Sequence, residues 1–378
     1  MSNAPVKNIL FIHHVSCLAG AEQYLVSVIK ALDKRYKIFF ICQEPGPLTA
    51  VLENMGVTVQ CMPLRAWRKP RYLLANIKTI WDVTEFCRKH RIDAVCSNNY
   101  RVASYAVWPA KMLRIPSVVI IQDFASSRTL WKFNTFQADA LITVSKSLKA
   151  TVKQFRRKVV HIYNGLDVQA FDKSAGRDEI LKKEFPDLRG KRVVGMVAHI
   201  IPLKGHKLFL DAMQKVARRF NDVMFVVIGD SPNKEQLSLQ DIKVYAKDRG
   251  IADRLTLTGA RPDVPALLKS FDILVHPSEK EAFGRVIMEA MALRVPVVAT
   301  ACGGPSEIIE DGQSGFLIPV GDETALTKAV ETLLTNADQR AAIATAGRRR
   351  IEEHFTISRT VGTINDFFDG LLKGKNHS

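Results

Sequence analysis

Pro277-Ser-Glu-Lys-Glu-Ala-Phe-Gly-Arg-Val-Ile-Met-Glu-Ala-Met-Ala292, running on through Val295-Pro-Val-Val-Ala-Thr300 to Gly303-Gly304 and Glu307, carries more architectural information than any other part of the chain. Preceded by the apolar run Ile273-Leu-Val-His276, it reads as strand, glycine turn, helix, strand. Glu281 falls in the loop, and Glu289 lies eight residues on, inside a helix whose first turn starts near Phe283-Gly284. Glycine at 284 lets the backbone approach an anion at the helix N-terminus, where unpaired amides and the helix dipole favour phosphate. Amides around Phe283, Gly284 and Arg285 suit a diphosphate, Glu281 suits sugar hydroxyls, and Glu289 suits the two hydroxyls of a ribose. The plainer alternative makes both acids ordinary helix-end residues.

Outward from this segment the same rhythm extends over most of the chain. In the second half, strand-like runs recur at Arg192-Val-Val-Gly-Met-Val-Ala198, Val223-Met-Phe-Val-Val-Ile-Gly229 and Leu255-Thr-Leu-Thr-Gly259, with helix-period stretches between them. In the first half they recur at residues 7–15, 37–42, 57–61, 93–96, 117–121, 140–144 and 159–163. Such alternation predicts parallel sheets covered by helices, with ligands at the carboxyl ends of the strands. The rhythm weakens between Asp167 and Arg192, in charged sequence including Lys173-Ser-Ala-Gly-Arg-Asp178, and a linker is placed at 171–191. The expected domains are then 1–170 and 192–354. Neither Gly-x-Gly-x-x-Gly nor Gly-x-x-x-x-Gly-Lys-Ser/Thr occurs, which disfavours dinucleotide oxidoreductases and P-loop phosphotransferases.

Composition bounds the function classes further. With 378 residues, 47% hydrophobic and 24% charged, the chain suits two globular domains and not a disordered or membrane-embedded protein. No apolar run reaches the roughly 18 to 20 residues that cross a bilayer. The opening Val6-Lys-Asn-Ile-Leu-Phe-Ile-His-His-Val15 reads as a first strand rather than a signal peptide, so a cytoplasmic protein is expected. Six cysteines at irregular spacing form no Cys-x-x-Cys pair, and reduced, packed thiols are expected. The net charge of +16 is uneven: residues 1–170 hold 24 Lys and Arg against 10 Asp and Glu, or +14, whereas 171–378 hold 30 against 28, or +2. A basic first half suits an anionic partner or is simply a solvated surface.

The Glu281 to Glu289 segment resembles the Glu-x7-Glu motif of retaining glycosyltransferases of the GT-B fold, closest to family 4. Asn164-Gly-Leu-Asp167 resembles that family's interdomain turn, Lys204-Gly205 its phosphate-binding Lys-Gly, and Gly303-Gly304-Pro-Ser-Glu307 with Asp311-Gly-Gln-Ser-Gly-Phe316 its C-terminal loops. The resemblance spans residues 7–355. It implies an α/β protein of two Rossmann-like, doubly wound parallel-sheet domains facing a central cleft, with a terminal helix in 355–378 returning to the first domain. It also implies a nucleotide diphosphate sugar as donor, most often UDP-linked, and no cofactor.

Residue by residue, Lys204 would set a compact charge against a diphosphate that grows more anionic as the sugar bond breaks; the alternative is an exposed surface lysine. The family usually has an Arg five residues before this Lys, where Ala198-His199 stand here, and His199 is the candidate substitute donor. Leu18-Ala-Gly-Ala-Glu22 resembles the family's Gly-Gly-x-Glu loop, with Ala19 in place of one glycine and Gly20 bringing amides to the donor. His13 and His14 end the first strand on opposite sides, so one is expected to be packed. Gln122 stands where the family often has His; an amide cannot act as a base, so it would orient the reactants. A double displacement would need a carboxylate near Gln122 or Asp123, and Asp123 reads equally as a turn cap. There is no Asp-x-Asp, so no essential metal is expected.

On the acceptor side, Leu64-Arg-Ala-Trp-Arg-Lys-Pro-Arg-Tyr-Leu-Leu74 interleaves cations with aromatics, and Lys153-Gln-Phe-Arg-Arg-Lys158 adds a second basic cluster. This composition suits an anionic lipid surface or a lipid-linked acceptor, with a basic solvated loop as the alternative; nucleic acid is not expected. The sequence therefore points to a glycosyltransferase, with a catalytically decayed sugar-nucleotide binder or a GT-B epimerase as competing readings.

Overall fold

The computed structural model describes residues 6–18, 20–67, 69–155, 157–174, 180–231 and 237–373. Its chain divides into two compact units, residues 1–165 with 357–378, and residues 166–356. The first unit carries seven strands: β1 (Lys7–Ile12), β2 (Tyr36–Cys42), β3 (Thr58–Cys61), β4 (Ala94–Ser97), β5 (Ser117–Ile121), β6 (Ala140–Thr143) and β7 (Lys158–His161). They form one sheet in the order β3-β2-β1-β4-β5-β6-β7. Its pairings are all parallel. The second unit carries β8 (Arg192–Val197), β9 (Val223–Ile228), β10 (Leu255–Gly259), β11 (Ile273–His276), β12 (Val297–Thr300) and β13 (Phe316–Ile318). Their order is β10-β9-β8-β11-β12-β13, again with parallel pairing throughout.

Both sheets are doubly wound, and the reason is visible along β1. Ile9 and Phe11 join one hydrophobic layer with helix Gly20–Ala31, while Leu10 and Ile12 join the opposite layer with helix Leu73–Lys89. Side chains alternate across a strand, so a sheet covered by helices on both faces demands an unbroken apolar run. In each sheet the strand order reverses once, between β1 and β4 and between β8 and β11. At such a switch point the flanking loops part and leave a crevice at the carboxyl ends of the strands.

The boundaries differ from the sequence reading in one respect. The chain passes from the first unit to the second between Gly165 and Leu166, and the described residues of 171–191, expected as a linker, belong to the second unit. Helices Val168–Ser174 and Ile180–Glu184 occupy part of that segment; residues 175–178 of the expected charged run lie outside the described residues. The reading rested on the weakening alternation of strand and helix, and two of the acids in this stretch are held by ion pairs. Arg348 of helix Ala337–His354 forms a two-pronged ion pair with Asp172 at 2.7 and 2.8 Å, and Arg261 binds Glu184 at 2.7 and 2.9 Å. Arg348 also donates to the carbonyl of Ala292, at the end of helix Arg285–Ala292, and so holds that helix from behind.

Helix Ile357–Lys373 packs on the first unit, where Val361, Ile364, Phe367 and Phe368 enter the same layer as Tyr24, Leu25 and Val28. The return of the chain is pinned on both sides: Leu166 donates to the carbonyl of Phe355 at 2.8 Å, and the Thr360 hydroxyl donates to the carbonyl of Tyr163 at 2.8 Å. Phe368 is 2% exposed. Phe368→Ala is expected to destabilise the first unit by about 3–5 kcal/mol, the usual cost of deleting a buried phenyl ring, read by chemical denaturation.

Candidate active site

Lys204 and Glu281 lie 77 residues apart in sequence, and two interlocked loops bring them together. After β8 the chain makes a 3₁₀ turn, Pro202–Lys204, closed by Gly205 at φ 76°. A Cβ at Gly205 would lie 2.1 Å from the carbonyl oxygen of Pro277, so only glycine fits both the left-handed backbone and the contact. The loop after β11 answers this contact: Glu279 N donates to Leu203 O at 2.9 Å, and Gly304 N donates to Glu281 O at 2.9 Å. Glu281 is thus held between the turn before helix His206–Arg219 and the loop after β12.

Lys204 Nζ stands 2.6 Å from Glu281 Oε2, with the two side chains 22% and 15% exposed. His276 Nε2 lies 3.2 Å from the same oxygen and 3.0 Å from Ser278 Oγ, and the amide of Phe283 donates to Oε1 at 3.4 Å. Burial alone would push the Glu281 carboxyl up, but His276 and then Lys204 outweigh it and hold the group well below the usual carboxylate range. The neighbouring His206 is pushed down to about 4 by burial and by the charge on Lys204, so it stays neutral. The result is a carboxylate and a lysine, both mostly sheltered from water, at the mouth of a helix.

That helix, Arg285–Ala292, begins at Gly284 with φ 100°. An added Cβ there would come within 2.9 Å of Ile287 Cδ1 and 3.5 Å of Glu281 Cγ, which puts the Gly284 backbone directly beside the Glu281 side chain. One turn on, Arg285 Nε donates to Glu289 Oε1 at 2.7 Å. The candidate donor residues therefore sit as two ion pairs flanking one helix start. Phe283 contributes its amide; its ring is buried edge-on against Phe355, with centroids 6.1 Å apart. His199 is exposed, and among the described residues its ring has no hydrogen-bond or ion-pair partner, so nothing joins it to Lys204 or Glu281.

The first sheet presents a different cluster at its own switch point. His13 follows β1, Asn98 follows β4 and Gln122 follows β5. Gln122 Nε2 donates to the backbone carbonyl of Asn98 at 3.1 Å and to Asn98 Oδ1 at 2.9 Å. A backbone carbonyl can only accept, so the orientation of the Gln122 amide is set, and the group it keeps for a ligand is its carbonyl oxygen. Asn98 then turns Nδ2 toward His13 Nδ1 at 3.5 Å, while His13 Nε2 pairs with Glu22 Oε1 at 2.8 Å. In that order His13 Nε2 faces the Glu22 carboxylate as donor and Nδ1 faces the Asn98 amide as acceptor. His13, Glu22 and Asn98 are buried; His14 is pushed down to about 4 by burial, then by His13 and Arg101. Gly20 is the exposed first residue of helix Gly20–Ala31, and Ala19 lies outside the described residues.

Sequence reasoning missed His276, Ser278 and Asn98. Each lies at or within two residues of the end of a strand flanking a switch point, and that position is the signal that flags them. Among the described residues no group of three or more His, Cys, Asp and Glu could hold a metal ion. Four of the six thiols, those of Cys42, Cys87, Cys96 and Cys302, are buried, and burial pushes Cys87 up to about 12.

Two comparisons of sequence and one of structure bear on this arrangement. The family models "Glycosyl transferases group 1" and "Glycosyltransferase Family 4" match residues 177–350 and 18–170. The chain belongs to the family 4 glycosyltransferases of the GT-B fold. It is 23% identical over 377 residues, 95% of each chain, to the UDP-Gal:alpha-D-GlcNAc-diphosphoundecaprenol alpha-1,3-galactosyltransferase of Escherichia coli. It is 32% identical over 259 residues, 64% of each chain, to the GDP-mannose-dependent alpha-mannosyltransferase of Mycolicibacterium smegmatis. Among solved structures, Anabaena Alr3699/HepE in complex with UDP and glucose superimposes with a TM-score of 0.83 at 23% identity, covering 96% of this chain and all of the other.

Two measurements check the geometry. Gly205→Ala, forced into left-handed backbone against Pro277, is expected to cost about 2 kcal/mol or more in denaturant unfolding. In carbon-13 NMR the Glu281 carboxyl is expected to titrate below the ordinary glutamate value of about 4.3, and Lys204→Met is expected to raise it because burial remains. By linkage, the stability that the wild-type pair contributes is present above the ordinary carboxylate range and is lost as pH falls through the lowered folded value.

Proposed function

We propose that this glycosyltransferase is retaining and metal-independent, moving a hexose from a nucleotide diphosphate sugar, with UDP as the favoured nucleotide, to a lipid-linked or cell-surface polysaccharide acceptor. The observation that carries the reading is the Lys204 and Glu281 pair, 2.6 Å apart beside the glycine that opens helix Arg285–Ala292. A donor diphosphate has two needs at that place: amides that require no reorganisation, and a cation whose attraction strengthens as negative charge develops. Lys204 answers the second need, and the helix start at Gly284 answers the first. Glu281 then exchanges Lys204 for sugar hydroxyls, and Glu289 exchanges Arg285 for the ribose. Arg285, which pairs with Glu289 in the free protein, is a second cation beside the same helix start, on a chain whose position 199 holds His in place of the family's usual arginine.

In the reaction so read, the acceptor hydroxyl attacks the anomeric carbon from the face that the diphosphate leaves. The bond from that carbon to the phosphate oxygen breaks, the new glycosidic bond forms, and the acceptor proton passes to the departing phosphate oxygen. No side-chain base is required, which suits an amide at Gln122. The Gln122 carbonyl, turned by Asn98, is fitted to accept a hydrogen bond from a sugar hydroxyl. The acceptor class is supported by the diphosphoundecaprenol in the name of the Escherichia coli relative, and the nucleotide by the UDP held by the Anabaena structure.

The test is turnover of a panel of nucleotide sugars with membrane-extracted acceptor lipid, read as nucleotide diphosphate released. Lys204→Ala and Glu281→Ala are each expected to lower turnover by about 10²–10³, the scale of losing one preorganised charged group at a reacting centre, while Glu289→Gln raises donor KM more than it lowers kcat. Donor binding by thermal shift without turnover on any acceptor would instead mark a decayed binding protein.

A further inference from the structure

Helix Leu73–Lys89 of the first unit buries one face and leaves the other without a partner. Asn76, Thr79, Ile80, Val83, Thr84, Phe86 and Cys87 point inward, and the helix packs beside Ala103–Leu113. Its outward line at positions 74, 77 and 81 should be polar in a solvated helix. It carries Leu74, Ile77 and Trp81 instead, 82%, 53% and 54% exposed, with Leu73 alongside at 55%. A single exposed leucine is unremarkable. Four large apolar side chains within nine residues of one helix make a contiguous patch, which is the signature of an interaction surface. In the second unit the exposed large apolar residues Leu203, Val244 and Val320 are scattered over separate segments.

The surroundings of the patch specify its partner. Between Glu53 and Asp82 the chain has no acidic residue and five cations: Arg65, Arg68, Lys69, Arg71 and Lys78. The guanidinium of Arg71 lies 4.7 Å, and that of Arg65 5.9 Å, from the ring centre of Tyr72, which immediately precedes the helix. Arg88 is 5.9 Å from the ring of Trp81. The first acids along the helix are already occupied, Asp82 by Lys78 at 2.7 Å and Glu85 by Arg88. A line of leucine, isoleucine and tryptophan rimmed by aromatics and cations matches a surface that offers apolar depth beneath a layer of negative charge.

We infer that the outward face of helix Leu73–Lys89, with the basic segment that leads into it, docks on the surface of an anionic lipid bilayer. Leu73, Leu74, Ile77 and Trp81 enter the acyl boundary, and Lys69 and Arg71 meet the headgroups. The inference deepens the reading of a lipid-borne acceptor by naming the surface that would bring the enzyme to it. No helix among the described residues is long and apolar enough to cross a membrane, so this contact is with one leaflet.

The experiment is co-sedimentation of the full chain with vesicles of phosphatidylcholine alone or mixed equally with phosphatidylglycerol, at low and high salt, with no donor present. The wild type is expected to sediment with the anionic vesicles only and to be released by high salt. Leu74→Ser with Trp81→Ser is expected to lower binding at least tenfold, and Lys69→Gln with Arg71→Gln on the order of tenfold, each with an unchanged thermal melt because the side chains are exposed. Equal sedimentation of the wild type and the Leu74→Ser, Trp81→Ser variant overturns the inference, as does binding indifferent to lipid charge. A wild-type dimer that the same double variant converts to monomer also overturns it, assigning the face to a second copy of the chain. Because vesicle binding needs no transfer, its failure leaves the transferase reading standing, and loss of turnover leaves the docking surface standing.

Discussion

The chemistry available in the second unit rests on one ion pair, Lys204 to Glu281, held in a site only partly open to water. An exposed pair of this kind would contribute little, because water and salt screen it. A fully buried one would cost more in desolvation than it returned. At 22% and 15% exposure the two side chains lie between these limits, where the charges persist yet remain exchangeable. The backbone around them is fixed accordingly: Gly205 against Pro277, Glu279 bonded to Leu203, and Gly304 bonded to Glu281 leave the loops no freedom to drift apart. A ligand that takes over both partners loses little by separating them, because the frame that carries them is already in place.

The two sheets use the same topological feature for opposite electrostatic ends. At the β8/β11 reversal the loops gather full charges and a helix start, a setting matched to phosphate. At the β1/β4 reversal a single buried carboxylate, Glu22, is followed by imidazole and two neutral amides, and each member sets the hydrogen-bond direction of the next. Such a chain begins at a carboxylate and ends, at Gln122, in a neutral amide whose direction is set.

Much of the architecture was legible because it is written in local pattern. Runs such as Val223–Ile228 are too apolar for any strand but one covered on both faces, and the glycines at 205 and 284 mark backbone that other residues resist. The candidate site was legible in part for the same reason: Lys204, Glu281 and Gly284 each follow a strand or open a helix. What escaped were relations across distance. Nothing near His276 announces that its ring will meet Glu281 and Ser278, and Asn98 looks like any polar loop residue until Gln122 is placed 24 residues later. Within 171–191, where the alternation of strand and helix weakens, Asp172 and Glu184 are tied to arginines far along the chain, a relation that no local pattern shows. Composition raised the basic segment before Leu74, but only the burial pattern shows that the helix after it turns apolar side chains outward.

The final helix has a consequence for biogenesis. Because Phe367 and Phe368 complete the layer that begins with Ile9 and Phe11, the half of the protein that leaves the ribosome first is the half that must wait longest for its core. The second unit, residues 166–356, is contiguous and has all its strands in hand before that helix is translated. Vectorial synthesis therefore leaves one layer of the upstream sheet, already partly covered by Tyr24, Leu25 and Val28, incomplete until the final helix emerges, whereas the downstream unit has its whole sequence in hand earlier.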